Sequence, residues 1–580
     1  MLRFFLTAFL AVSFHAPAGA QNSLGSAYVG GAPASALNGP PGFAGAYLAA
    51  RAAAARGNVD AAGAYFARAL ARLPNDPALL EQTLIYQSAS GRVLAAIPIA
   101  RKLLEFEPRH RMSNLVMTVD DIAAGRYEDA VARVEAAPEA YHPLVGALLK
   151  AWSEHGLGRT PEMAGLDERP IFRIFAGYHR GLMLTAAGDL NGSAAAFEGA
   201  LKELNTPTGR MALAYGETLR LLDQPEKAEE IYNAAIGVSV GDATLEAALA
   251  SLAAGEAPEL RIDTPRKGAA EALFGLASAL GQDEDSSRLS LFYLRLAQYL
   301  RPDFSDAAIL AGEIFSDGKQ YELAVKAYAD VPEDSPLRRS GEIGRAEALY
   351  RLDNVDEATE ALIALTSAEP DAIDAHLALG DLYRRTEEFD KGALAYDAAI
   401  KLMSAKGREN WVLYYERGIC YERSDQWDLA EADFFKALEL RPDQPLVLNY
   451  LGYSWLDKGI KTEEALPLIQ KAVDQRPEDG YIVDSLGWAF YLLGDFDAAV
   501  RELERAVELR PIDPVITDHY GDALWRVGRR LEAEFQWKRA LSYEPEEREL
   551  TRIKRKLKVG LDVVLEEEAS AEDVVEADDG

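Results

Sequence analysis

Large and small apolar positions recur in a fixed order along the last part of the chain. Leu451-Gly452 is followed by Ala465, Ala472 and Pro477; the order returns as Leu486-Gly487, Ala499, Ala506 and Pro511, and again as Tyr520-Gly521, Ala533, Ala540 and Pro545. From Pro477 onward the period is 34 residues. The order predicts two helices joined by a tight turn. A glycine midway along the first helix and two alanines on the second let the axes approach to the short end of the usual ~8–10 Å range. Each proline follows the second helix, which it cannot continue because it lacks the backbone donor. Gly494 and Gly528 fall where a first helix must stop.

The same register reaches far upstream. Ala49-Ala50, Ala62, Phe66, Ala69 and Pro74 make one unit, and Ala96, Ala100, Leu103 and Pro108 the next, with the two prolines again 34 apart. A third copy starts at Arg111 and turns at Gly125-Arg126-Tyr127. The pattern degrades after Pro138, recovers at Gly181 and at Tyr215-Gly216, and is lost among glycines and turn formers between Gly237 and Lys267. It resumes at Leu276-Ala277 and, apart from a short insertion at 404–410, continues to Pro545. Glu546–Lys558 sets Leu550, Ile553 and Leu557 on one helical face with Arg552, Lys554, Arg555, Lys556 and Lys558 around them, as a solenoid cap with a polar outer face requires.

A 34-residue period with this order resembles the tetratricopeptide repeat. The resemblance implies an all-α tetratricopeptide-repeat superhelical solenoid of about 12 to 14 helix-turn-helix units at the family period. The expected organisation is a signal peptide at 1–20, a flexible Gly/Ala/Pro-rich leader at 21–45, an amino-terminal array at 46–236, an irregular junction at 237–267, a carboxyl-terminal array at 268–545, a capping helix at 546–565 and an acidic tail without regular structure at 566–580.

Charge and composition narrow the function. The formal net charge of -32 argues against nucleic acid, whose phosphates call for clustered Lys and Arg. Arg3, the apolar run Phe4 to Phe14 and the small residues Ala18-Gly19-Ala20 read as a cleaved signal peptide, which places the mature chain in the periplasm from about Gln21. The run falls short of the about 20 apolar residues that span a bilayer. No cysteine stands at the cleavage site to carry a lipid, so membrane association is left open; the one cysteine, Cys420, reads as a small buried hydrophobe. The 7 histidines show no metal spacing, and no nucleophile elbow, phosphate loop or dinucleotide motif is present, so neither an enzyme nor a cofactor is expected.

In repeats of this kind the first helices line an inner wall. Carried onto the last four copies, the wall positions include Tyr415, Asn449, Tyr453, Tyr481, Asp484, Trp488, Tyr491, Asp518, Asp522 and Trp525. Rings interleaved with carboxylates and an amide suit an extended peptide, the rings holding side chains and the polar groups holding main-chain amides or basic groups. A wall of mostly Asp and Tyr does not suit a partner's terminal carboxylate. The segments 448–453, 482–488 and 518–525 further resemble the carboxyl-terminal repeats of a proteobacterial envelope family of tetratricopeptide lipoproteins. That resemblance implies an adaptor that binds a PDZ-containing, carboxyl-terminal processing serine protease and presents substrates such as peptidoglycan hydrolases to it. A structural scaffold for envelope or exopolysaccharide assembly is the alternative.

Overall fold

The computed structural model describes residues 42–578, apart from 162, 164, 165, 167, 168, 205, 237–241, 259 and 282–285. The expected signal peptide and nearly all of the leader lie outside the described residues, as does part of the expected junction. The described residues hold thirty α-helices and no strand, in the all-α helical-hairpin arrangement expected. Helix starts are closed by side chains: Asn58 accepts from the Ala61 amide at 2.9 Å, Asp76 from Leu79 at 3.0 Å and Asp495 from Ala498 at 3.1 Å. The stops at Gly494 and Gly528 take φ of 83° and 82°, the left-handed conformation that glycine adopts without steric cost.

The chain divides into two compact units, Met1–Leu365 and Thr366–Gly580. In the first unit the early first helices are buried on more than one side. Pro77–Ala89 buries Leu79, Leu80 and Leu84 together with Thr83, Gln87 and Ser88. Later helices of the same unit account for this. Ser287–Leu300 packs against it, with Arg288 5.4 Å from the Tyr86 ring. Tyr299 donates its hydroxyl to Asp120 at 3.1 Å, and Gln320 donates to the Arg56 carbonyl at 2.8 Å. Pro265–Leu280 lies on Pro143–Gly156 so closely that a Cβ on Gly268 would fall 2.2 Å from the Trp152 ring. The inner face of these hairpins is therefore covered by the unit's own chain. Within the expected irregular junction, Ala243–Ala253 forms a helix capped by Asp242, and Pro265 starts the next behind the Thr264 cap.

The second unit holds the regular hairpins. The mid-helix glycines do what their spacing predicts: a Cβ would fall 2.8 Å from Ile469 at Gly452, 2.6 Å from Leu503 at Gly487 and 2.5 Å from Trp537 at Gly521. The carboxyl end differs from expectation. The capping helix runs from Glu547 to Val559, breaks at Gly560 with φ 87°, and a further helix, Leu561–Asp578, replaces the expected structureless tail. Leu561 and Val564 are buried, Arg552 pairs with Glu568 at 2.8 Å, and Arg555 pairs with Glu567. These contacts give the acidic segment a basic helix to fold on.

Candidate partner-binding wall

The ten wall residues lie on four first helices: Trp411–Arg423, Pro445–Asp457, Gly480–Leu492 and Pro514–Arg526. At the amino-terminal end the rings pack on one another across repeats. Tyr415 sits 6.0 Å from Tyr450, 6.2 Å from Trp411 and 6.3 Å from Phe434. Burial raises its phenol above the ordinary tyrosine range, reinforced by the charge of Glu416. This ring serves packing between repeats as well as the wall.

The middle of the wall is linked by hydrogen bonds between successive hairpins. Asn449 donates Nδ2 to Ser485 Oγ at 3.2 Å, while its Oδ1 is buried without a hydrogen-bond partner. Such an amide oxygen is an acceptor waiting for a donor. Tyr453 beside it is half-buried, and burial together with Asp457 and Asp484 keeps its phenol protonated. Tyr481 is 54% exposed, with the Arg510 guanidinium 4.8 Å from its ring. Trp488 stacks on Tyr491 at 4.5 Å and on His519 at 4.0 Å. His519 Nδ1 in turn lies 3.1 and 3.2 Å from the two oxygens of Asp484. Burial works against a charge on His519, but Asp484 overcomes it and raises the imidazole above its ordinary value. Tyr491 is buried, its hydroxyl has no hydrogen-bond partner, and burial pushes it up to about 12.

The last repeat is occupied by the chain itself. Lys556, read from sequence as part of a solvated basic face, is 1% exposed. Its ammonium donates to Asp518 Oδ2 at 2.7 Å and to both oxygens of Asp522 at 2.7 Å. Asp522 also accepts from Trp537 Nε1 at 2.9 Å and from Arg552 at 3.3 Å. Trp525 donates Nε1 to Asp562 at 3.0 Å, and the Arg530 guanidinium lies 3.7 Å from its ring centroid. Asp518, Asp522 and Trp525 are thus brought together beneath the terminal helices, while Asp484 is held by His519. Each of the three carboxylates of this wall is engaged from within the chain; Asn449 Oδ1, left without a partner as are the Tyr491 hydroxyl and Asp518 Oδ1, lies beside the partly exposed rings of Tyr453, Tyr481 and Trp488.

Sequence reasoning missed His519 and Lys556. The register did carry a signal for both: it places Asp484 and Asp518 at equivalent sites 34 residues apart, so the residue after Asp518 borders the acid of the preceding copy. A basic cap behind two in-register acids, Asp518 and Asp522, also implies that one cation turns inward.

The hairpin array and its inner wall define a helical-repeat scaffold. Residues 343–406 and 415–480 match one tetratricopeptide repeat family model, and 484–513 match another. Among curated proteins, a TPR repeat-containing protein of Pseudomonas aeruginosa is 28% identical over 193 residues, covering 33% of this chain and 32% of that protein. Tetratricopeptide repeat protein 13 of Homo sapiens is 26% identical over 175 residues, 29% of this chain and 20% of its own length. The chain thus spans about a third or less of the curated relatives it matches. Among solved structures, the Cut9–Hcn1 hetero-tetramer of the APC/C aligns over 90% of this chain and 97% of its own at 14% identity and a TM-score of 0.37. YrrB, described as a TPR protein with an unusual peptide-binding site, aligns over 32% of this chain and 94% of its own at 19% identity and a TM-score of 0.26.

Proposed function

We propose that this protein is a protein-binding scaffold of the bacterial envelope, and that Asn449, Tyr453, Tyr481 and Trp488 hold an extended segment of the partner. The observation that carries this reading is the buried, unpaired Asn449 Oδ1 beside half-exposed rings, in repeats whose carboxylates are already paired. A partner's main-chain amide satisfies that oxygen, and the rings cover its side chains. The finer reading is an adaptor that holds a periplasmic carboxyl-terminal processing protease together with its protein substrates. It is supported by the resemblance over 448–525 and by the signal-like amino terminus. Holding both raises their effective concentration without adding chemistry.

Capture of partners by the purified chain from a periplasmic extract tests the adaptor. A PDZ-containing serine protease is expected among the captured proteins. Recovery only of secretion or glycan-synthesis components sinks that reading in favour of an assembly scaffold. Trp488→Ala combined with Tyr453→Ala is expected to weaken capture by about 2 kcal/mol or more, as for aromatic hot spots, with helical circular dichroism unchanged. Capture at full strength by the double variant moves the binding surface away from this wall.

A further inference from the structure

A polar cleft interrupts the filled interior of the first unit. It encloses about 40 Å³, and Tyr178, Arg210, Glu217, Arg261, Arg301 and Asp306 are among its lining residues. The three arginines are not equivalent. Arg210 is saturated: it donates Nε to Glu271 Oε1 at 2.6 Å, pairs with Asp306 at 2.6 Å, and lies 4.7 Å from the Phe274 ring and 5.2 Å from the Phe304 ring. It braces the cleft and has little left to offer a ligand.

Arg261 and Arg301 are incompletely paired. Arg301 lies 4.8 Å from the Phe304 ring; its Nε is buried without a hydrogen bond, the Asp303 carboxylate being 3.6 Å away. Arg261 gives Nε to Glu217 at 2.7 Å while 36% of its side chain stays exposed. Glu217 is a reluctant counter-ion. Burial pushes its carboxyl up to about 7 against the pull of Arg261, so near neutrality it carries only part of a charge. One arginine with a buried Nε that makes no hydrogen bond and another with 36% of its side chain exposed therefore border one small cleft, in a chain whose net charge is -32.

We propose that this cleft is a binding site for a small oxyanion, of carboxylate size, received by Arg261 and Arg301. The size argument is direct: one water requires about 10–15 Å³ of such space, so the cleft admits a group of three or four heavy atoms, not a nucleotide or a sugar. The chemistry is equally restrictive. A guanidinium presents its donors in a planar fork that matches the two oxygens of a carboxylate, and the bond is strengthened by charge and by a partly buried setting.

Phenylglyoxal labelling of the full chain, read by peptide mass spectrometry, tests the site. Sodium acetate is the probe, with sodium chloride and sodium phosphate at matched ionic strength as the other arms. Acetate is expected to slow labelling of Arg261 and Arg301 while leaving exposed Arg101 unchanged. Arg301→Gln is expected to weaken acetate protection of Arg261 about tenfold, the effect of one lost charge-assisted hydrogen bond, whereas Arg301→Lys keeps part of it. Arg261→Gln, read at Arg301, gives the reciprocal measurement should one variant fold poorly by circular dichroism. Equal labelling in acetate and chloride overturns the proposal, as does slowing that includes Arg101. Protection by phosphate but not acetate overturns the carboxylate assignment.

Discussion

At the scale of single residues, Lys556 has the largest consequence. Its ammonium is enclosed by Asp518 and Asp522, so Lys556→Met removes the cation and leaves two carboxylates buried. Breaking a buried pair from one side costs about 3–5 kcal/mol, far more than the pair itself contributes over an apolar replacement. Hydrogen exchange across 514–541 is expected to lose protection by about that amount, and adding Asp518→Asn and Asp522→Asn is expected to restore part of it. The same cluster sets a pH dependence. Burial, reinforced by Asp522 and opposed by Lys556, raises Asp518 from 3.8 to about 6, so the folded state holds its proton more tightly than the unfolded chain. Stability from this group is present at low pH and lost as pH rises through about 6. His519 acts in the same direction: its raised pKa stabilises below the ordinary value of 6.5, and the gain is lost as pH rises through the folded value. Protection of Pro514–Arg526, corrected for intrinsic exchange, is expected to fall from about pH 5 to pH 8. Protection that rises over this range contradicts both assignments.

At the scale of helices, the small positions separate packing from backbone effects. Gly452→Ala places a Cβ 2.9 Å from the Ala465 carbonyl oxygen, a backbone atom that cannot swing aside. Overpacking of this kind costs about 1–3 kcal/mol. Gly494→Ala meets no atom within 4 Å but carries φ +83°, so its cost is conformational and about 1 kcal/mol. Urea unfolding of the two variants measures the difference. These positions are also why the second unit was legible: Gly452, Gly487 and Gly521 each report one helix contact, and the contact recurs at every period. The start of the expected carboxyl-terminal array was less legible because Gly268 and Trp152 meet across more than a hundred residues, a contact that no local period encodes. The tail misled for a related reason. Its acidic composition looks unable to bury itself, and only the partners Arg552 and Arg555 in the preceding helix give Glu567 and Glu568 a place to dock. On the wall, the register put Asp484, Asp518 and Asp522 on the first helices correctly. Their occupation by His519 and Lys556 depends on side chains from the next hairpin and the cap.

At the scale of the whole molecule, the two units differ in how their contacts are distributed along the chain, and this sets how each should unfold. In the second unit, substantially packed helices are near neighbours in sequence, as in Gly480–Leu492 against Phe496–Leu509 and Pro514–Arg526. Such an array behaves as a one-dimensional chain of nearest-neighbour couplings, so its hairpins can open singly from an end. The first unit adds closures between distant segments: Pro77–Ala89 against Ser287–Leu300, Tyr299 on Asp120, and Gln320 on Arg56. A hairpin tied at both ends of the sequence cannot open without exposing its distant partner, so the unit should unfold as one cooperative block. Hydrogen exchange in rising sub-denaturing urea is expected to converge on one opening free energy across the first unit and to remain graded across the second. Arg288→Ala together with Tyr299→Phe removes two of the distant contacts, and is expected to spread the first unit's values while leaving the second unit's gradient in place. Equal gradients in both units before mutation would show that these closures do not couple the first unit.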